Sequence, residues 1–158
     1  MFLSNSDIKD LSKEILGKFF VEIISKKDKI EVREDIIYRD NSPIFFYKEI
    51  VNKADLKKDK LLIPHLKLLQ VNNFLKKIVV DMPAVPYMIK GADVMRPGIK
   101  QIDDGVVKGE VVAIVDEMNK KAIAIGIAEF GFEEMRGMSK GMVVRNVHYV
   151  GDMFWSVI

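Results

Sequence analysis

Side chains able to do bond chemistry are few and scattered along this chain. His65 and His148 are the only histidines, one beside a proline and one in an apolar run, and both read as packed or surface groups. A metal centre needs three or four convergent donors, and the absence of cysteine removes thiolate ligands, disulfides and thiol nucleophiles together. Seven serines are present, none inside the Gly-x-Ser-x-Gly turn that exposes a nucleophilic hydroxyl. The acidic pairs Asp103-Asp104 and Glu133-Glu134 would need burial beside a ligand to exchange protons, but each lies in turn-like polar sequence. Neither Gly-x-x-x-x-Gly-Lys-Ser/Thr nor Gly-x-Gly-x-x-Gly occurs, so nucleotide hydrolysis is disfavoured. These residues predict a protein that is not an enzyme and has no cofactor or metal.

Binding is better served. Between Lys90 and Ile99 the chain reads Lys-Gly-Ala-Asp-Val-Met-Arg-Pro-Gly-Ile, a loop bounded by Gly91 and Gly98. Glycine permits backbone angles that other residues resist and lets a ligand approach the main chain, while Pro97 fixes one φ angle. Arg96 carries a planar fork that binds phosphate bidentately or stacks on a base; a surface ion pair with Asp93 or Asp103 is its competing role. Lys90, Lys140 and Arg145 extend this positive track if the fold brings them to one face. Lys53, Lys57, Lys58 and Lys60, with Lys67, Lys76 and Lys77, form a second basic patch or a solvated connector.

The elements that must position this loop show in the hydrophobic spacing. Ile8, Leu11, Ile15, Leu16, Phe19 and Phe20 recur at three and four residues, which predicts a helix capped by Asn5 or Ser6 and ending near Gly17 to Phe20. The runs 30–38 and 44–50 across Asp40-Asn41-Ser42-Pro43 predict one hairpin, and Pro64 fits the first turn of a short helix. Farther on, 78–81 reads as a strand, 84–90 as a short helix, and 109–115 with 121–128 as a second hairpin. Residues 142–149 and 153–155 supply further strand material. Several short strands with turns between them suggest a small barrel.

With 158 residues and 49% of them hydrophobic, the chain can bury a core, and its 30% charged residues suit an ordinary globular protein. Residues 1–77 hold sixteen Lys and Arg against twelve Asp and Glu, whereas residues 78–158 hold nine against eleven. Any polyanionic partner of the second half must therefore use local patches. The N-terminus lacks the basic start and apolar run of a secretion signal, and no stretch approaches the roughly 20 apolar residues of a membrane span. Those features predict a cytoplasmic protein.

Residues 78–158 resemble the PUA domain, the RNA-binding module named after pseudouridine synthases and archaeosine transglycosylases. The resemblance runs through Val80-Asp81-Met82-Pro83-Ala84, the whole of 89–99, Val111 to Val115, Ala122 to Gly126, Ser139-Lys140-Gly141, and Asn146 to Trp155. It departs at Pro83, where the family pattern usually has glycine. Upstream, Ile63-Pro64-His65-Leu66-Lys67-Leu68-Leu69-Gln70 is similar to a segment of the translation factors related to malignant T-cell amplified sequence and ligatin.

The resemblance implies an α+β protein: a small N-terminal α/β pre-PUA domain over 1–77, followed by a C-terminal PUA β-pseudobarrel over 78–158. It implies binding of RNA, a tRNA acceptor region or small-subunit rRNA, in translation initiation or recycling. Association with the small ribosomal subunit and a protein partner on the N-terminal domain also follow from it. Mapped onto this sequence, the RNA site comprises Lys90, Gly91, Ala92, Met95, Arg96, Pro97 and Gly98, to which the basic track adds Lys140 and Arg145. Two other readings fit the same residues: an accessory subunit for an RNA-modification enzyme, and a protein-interaction adaptor.

Overall fold

A computed structural model describes residues 1–157. Helix α1, Asn5–Phe19, buries Ile8, Leu11, Ile15 and Phe19, the face set by the three-and-four spacing. Its cap is Ser4 rather than Asn5 or Ser6, because Ser4 keeps an extended backbone while Asn5 and Ser6 are already helical. The Ser4 hydroxyl accepts from Asp7 N (3.1 Å) and the Asp7 carboxylate accepts from Ser4 N (3.4 Å), a reciprocal capping box.

The N-terminal sheet is an antiparallel meander of β1 (Ile30–Arg33), β2 (Ile36–Arg39), β3 (Ser42–Val51) and β4 (Lys58–Pro64). Two corrections to the predicted hairpin follow. Residues 30–38 fold back on themselves at Glu34-Asp35, and the Asp40-Asn41 turn, both residues at positive φ, then joins β2 to β3. Part of the lysine-rich connector is itself a strand, with Lys58, Asp59 and Lys60 paired to Val51, Ile50 and Glu49. Charged on consecutive positions, this segment has no period of its own and takes its conformation from its neighbour. Pro64 closes β4 instead of opening a helix, a strand-end position where its missing N–H costs little. His65 caps α2 (Leu66–Val71), its Nδ1 accepting from Lys67 N at 3.1 Å.

The second sheet has the order β6-β10-β9-β8-β5-β7. Its strands are β5 (Lys77–Val80), β6 (Val94–Met95), β7 (Ile99–Ile102), β8 (Val111–Asp116), β9 (Ala122–Ala128) and β10 (Met142–Tyr149). All pairs are antiparallel except β5 with β8. The outer strands β6 and β7 are joined by the single turn Arg96–Gly98, which curls the sheet into a nearly closed barrel. A 3₁₀ turn at Met82–Ala84 leads into the short α3 (Val85–Met88) across the mouth, and α4 (Phe132–Arg136) precedes β10. The hairpin predicted over 109–115 and 121–128 is present as β8 and β9, and the helix predicted over 84–90 is present but shorter, confined to Val85–Met88. Residues 153–155 form turns rather than strand.

β8 is buried at every position because its two faces serve two cores. Val112 and Ile114 point into the barrel, while Val111, Ala113 and Val115 pack with Phe45, Ile63, Leu66 and Leu69 of the N-terminal half. A polar cluster closes the same seam. His148 Nδ1 donates to Asp152 Oδ2 (2.8 Å), His148 Nε2 accepts from Leu66 N (3.2 Å), and His65 Nε2 donates to Phe154 O (2.8 Å). The Phe154 ring stacks on Phe46 with centroids 4.1 Å apart. Both histidines are wholly buried and their ring nitrogens are all paired, which fixes both as neutral.

Candidate nucleic-acid interface

The glycine loop is built from the barrel outward. Asp81, at the end of β5, accepts from Ala84 N (2.9 Å) and so starts the Met82–Ala84 turn, while Asp81 N donates to Gly98 O (2.9 Å). At the far end of α3, Gly91 N reaches Met88 O and Ala92 N reaches Tyr87 O. Gly91 has φ +92, and a Cβ there would lie 2.9 Å from the Tyr149 ring, so both backbone angle and space demand glycine. Gly98 has no positive φ, and a Cβ there would only make ordinary contact with Ala84 Cβ (3.4 Å) and Asp81 Oδ1 (3.9 Å), so neither angle nor space demands glycine at this end of the loop. Asn146 on β10 pins the whole turn: its Nδ2 donates to Met88 O and Ala92 O, and its backbone N donates to Asp93 Oδ1.

These pieces enclose a cleft of about 340 Å³. Ala84, Met88, Ala92 and Val94 are its apolar lining, Pro83 and Pro97 flank it, and Tyr87 and Met95 stand on the rim at 64% and 52% exposure. Asp81 and Asp93 supply the carboxylates, already held by backbone N–H groups. An apolar slot with an exposed aromatic ring and polar acceptors suits an unstacked base, and nothing in the slot is a nucleophile beside a base.

Of the residues singled out in the sequence, Ala92, Met95, Pro97 and Gly98 line the cleft, and Gly91 shapes it from behind. Lys90, in the α3 turn, and Lys140, beside the Gly141 carbonyl that accepts from Arg96 N, are exposed neighbours of it. Arg96 makes neither predicted ion pair. Its Nε donates to Met135 O (2.8 Å) and its Nη1 to Ile99 O (3.4 Å), so the guanidinium braces the loop against α4. Arg145 does not line the cleft; its Nη1 donates to Val51 O (2.7 Å) across the seam between the two halves. The lysine patch is dispersed: Lys60 pairs with Asp35, Lys58 with Glu49, Lys76 with Glu110, and Lys67 lies over the Trp155 ring.

Tyr87 was not among the sequence candidates, although an aromatic residue between Pro86 and the loop was a visible signal. The His148–Asp152 pair, four residues apart, was another. That pair is structural. Burial pushes the His65 ring down to about 4 and lowers His148 too, despite the Asp152 carboxylate beside it. Burial alone would raise Asp152, but its pairing with His148 and the hydrogen bonds from Trp155 N and Tyr149 N together outweigh this and hold it below the ordinary carboxylate range. Asp103 is also occupied, accepting from Lys77 N at 2.7 Å. Among the described residues no cluster of three potential metal ligands exists, and no helix is long and apolar enough to cross a membrane.

Comparison with known proteins adds three findings. The PUA domain model matches residues 76–150. An uncharacterized protein of Methanocaldococcus jannaschii is 42% identical, covering 98% of this chain and 94% of its own length, and translation machinery-associated protein 20 of Saccharomyces cerevisiae is 30% identical over 94% and 79%. The crystal structure of a hypothetical protein from Pyrococcus horikoshii OT3 superposes with a TM-score of 0.76 at 29% identity, covering 98% of this chain and 96% of that one.

Proposed function

This chain belongs to the PUA-domain family that includes translation machinery-associated protein 20 and malignant T-cell-amplified sequence 1, and from that premise we propose that it is a non-catalytic RNA-binding protein of the translation apparatus. Its cleft takes the unpaired end of a tRNA acceptor stem or an unstacked base of small-subunit rRNA. The observation that carries this reading is the apolar slot behind the Gly91 turn with Tyr87 and Met95 at its rim. An aromatic ring beside a slot too narrow for duplex favours a splayed base, and RNA recognition concentrates on such unpaired positions. Lys90, Lys140 and the Arg96 N–H groups not engaged by Met135 O and Ile99 O hold the adjoining phosphates, contacts that position the strand without reading it. Work in initiation or recycling, in the cytoplasm and on the small subunit, follows from the same reading, with the N-terminal sheet free to meet a protein partner.

The test is binding to total tRNA and to purified small ribosomal subunits across a salt series. Tyr87→Ala should weaken binding by roughly 5- to 150-fold, the effect of about 1–3 kcal/mol of base stacking, with its salt dependence unchanged. Arg96→Ala should lower the salt slope by about one phosphate contact, roughly 0.7 for a single strand. Binding to neither RNA, or binding indifferent to Tyr87→Ala, would overturn the assignment.

A further inference from the structure

A second groove lies where the two halves of the molecule meet, about 490 Å³ in volume. Three cations line it: Arg145 from β10, Lys53 from the loop after β3, and Lys108 from the loop before β8. Asp59 and Glu129 line it too, leaving a net charge of +1. Lys53 and Lys108 are exposed and make no ion pair among the described residues. Arg145 is different. One of its Nη atoms is spent on Val51 O, which fixes the side chain at the seam while the remaining N–H groups stay available to a ligand.

The position of this groove relative to the cleft is set by β10. Met142 sits opposite Met95, the exposed rim residue of the cleft, and Arg145 follows three residues later. Val143 and Val144 between them turn into the barrel core, so Met142 and Arg145 are left on its outer side. At about 3.3 Å per residue the strand carries the groove roughly 10 Å from the cleft rim. Resting on the RNA-binding reading above, we propose that the seam groove is a second RNA-backbone site, in which Arg145, Lys53 and Lys108 take the phosphates of the strand that leaves the cleft along β10. A fixed guanidinium flanked by two exposed ammonium groups matches the mixed geometry of successive phosphates. The N-terminal sheet thereby becomes part of the RNA site through its β3–β4 loop, and the interdomain packing sets the spacing between the two parts.

The proposal is tested with two RNAs on the intact protein: a short single-stranded oligoribonucleotide that fills the cleft only, and the same oligoribonucleotide extended by a hairpin stem. The double variant Lys53→Gln/Lys108→Gln alters only exposed side chains, and its thermal melt checks that it folds. It should bind the short RNA as the parent does, while affinity for the extended RNA falls at least tenfold at low salt and the salt slope drops by about one to two, two phosphate contacts' worth. Equal affinity of parent and variant for the extended RNA overturns the groove and leaves the cleft standing. Equal losses on both RNAs also overturn it, since they mark a general field effect. Failure of the parent to bind the short RNA removes the cleft reading itself and this proposal with it.

Discussion

Asp152→Ala should destabilise the protein far more than a substitution six positions before the last residue ordinarily would. The carboxylate is 9% exposed and accepts three hydrogen bonds, from His148 Nδ1 (2.8 Å), Tyr149 N (3.0 Å) and Trp155 N (2.8 Å). Alanine leaves all three donors without their partner. His148 cannot adapt by moving its proton, because Nε2 must stay bare to accept from Leu66 N, and the ring has no exposed surface. A buried unsatisfied donor costs about 1–3 kcal/mol. The imidazole N–H meets that cost in full, whereas the two backbone groups are only partly buried and recover some of it from water, so the sum is about 3–5 kcal/mol. That is a large share of the 5–15 kcal/mol that roughly spans the stability of natural domains. The loss reaches the seam as well, since the turn held by Asp152 carries Phe154, which stacks on Phe46 and accepts from His65. Urea unfolding followed by circular dichroism reads the effect directly, and the melting temperature should fall by about 10 °C for a chain of this size. Asp152→Asn, which keeps acceptor oxygen at the site, should lose less than Asp152→Ala. A loss below about 1 kcal/mol for the alanine variant would refute the claim that this cluster clamps the two halves together.

Two further outcomes follow from the same geometry. His65 is held neutral down to about pH 4 in the fold but titrates near 6.5 when unfolded; the unfolded chain therefore takes up the proton first, and stability declines as pH falls from 6.5 to 4, by roughly 1.4 kcal/mol per pH unit. His148 adds a decline of the same sign, and urea midpoints that stay level between pH 7.5 and 4.5 would contradict it. At the loop, Gly91→Ala must strain a φ of +92 and displace the Tyr149 ring, so it should lower stability by about 1–3 kcal/mol and weaken RNA binding with it; a variant that melts and binds like the parent would show that the turn tolerates a side chain.

The helix over Asn5–Phe19, the Val111–Ala128 hairpin and the turn at Gly91 are all legible in the sequence, for one reason. Each depends on neighbours a few residues away: a three-and-four spacing, two β-branched runs across a polar turn, a backbone angle that only glycine takes freely. The likeness to the PUA pattern, a string of such local signals in order, is legible for the same reason. Features that depend on distant partners are not. Lys58-Asp59-Lys60 becomes a strand only because β3 lies beside it, and β8 shows one apolar run without revealing that its alternate residues belong to two cores. Arg96 shows a free cation in sequence, yet its fork is turned toward Met135 O, 39 positions away. His65 and His148 look isolated until folding closes 83 positions between them and burial makes every ring nitrogen find a partner. Local backbone preference thus determines which elements exist and where the binding loop turns. Burial and long-range hydrogen bonding, which no short window contains, decide which charges remain free to meet a ligand and which are spent holding the two halves together.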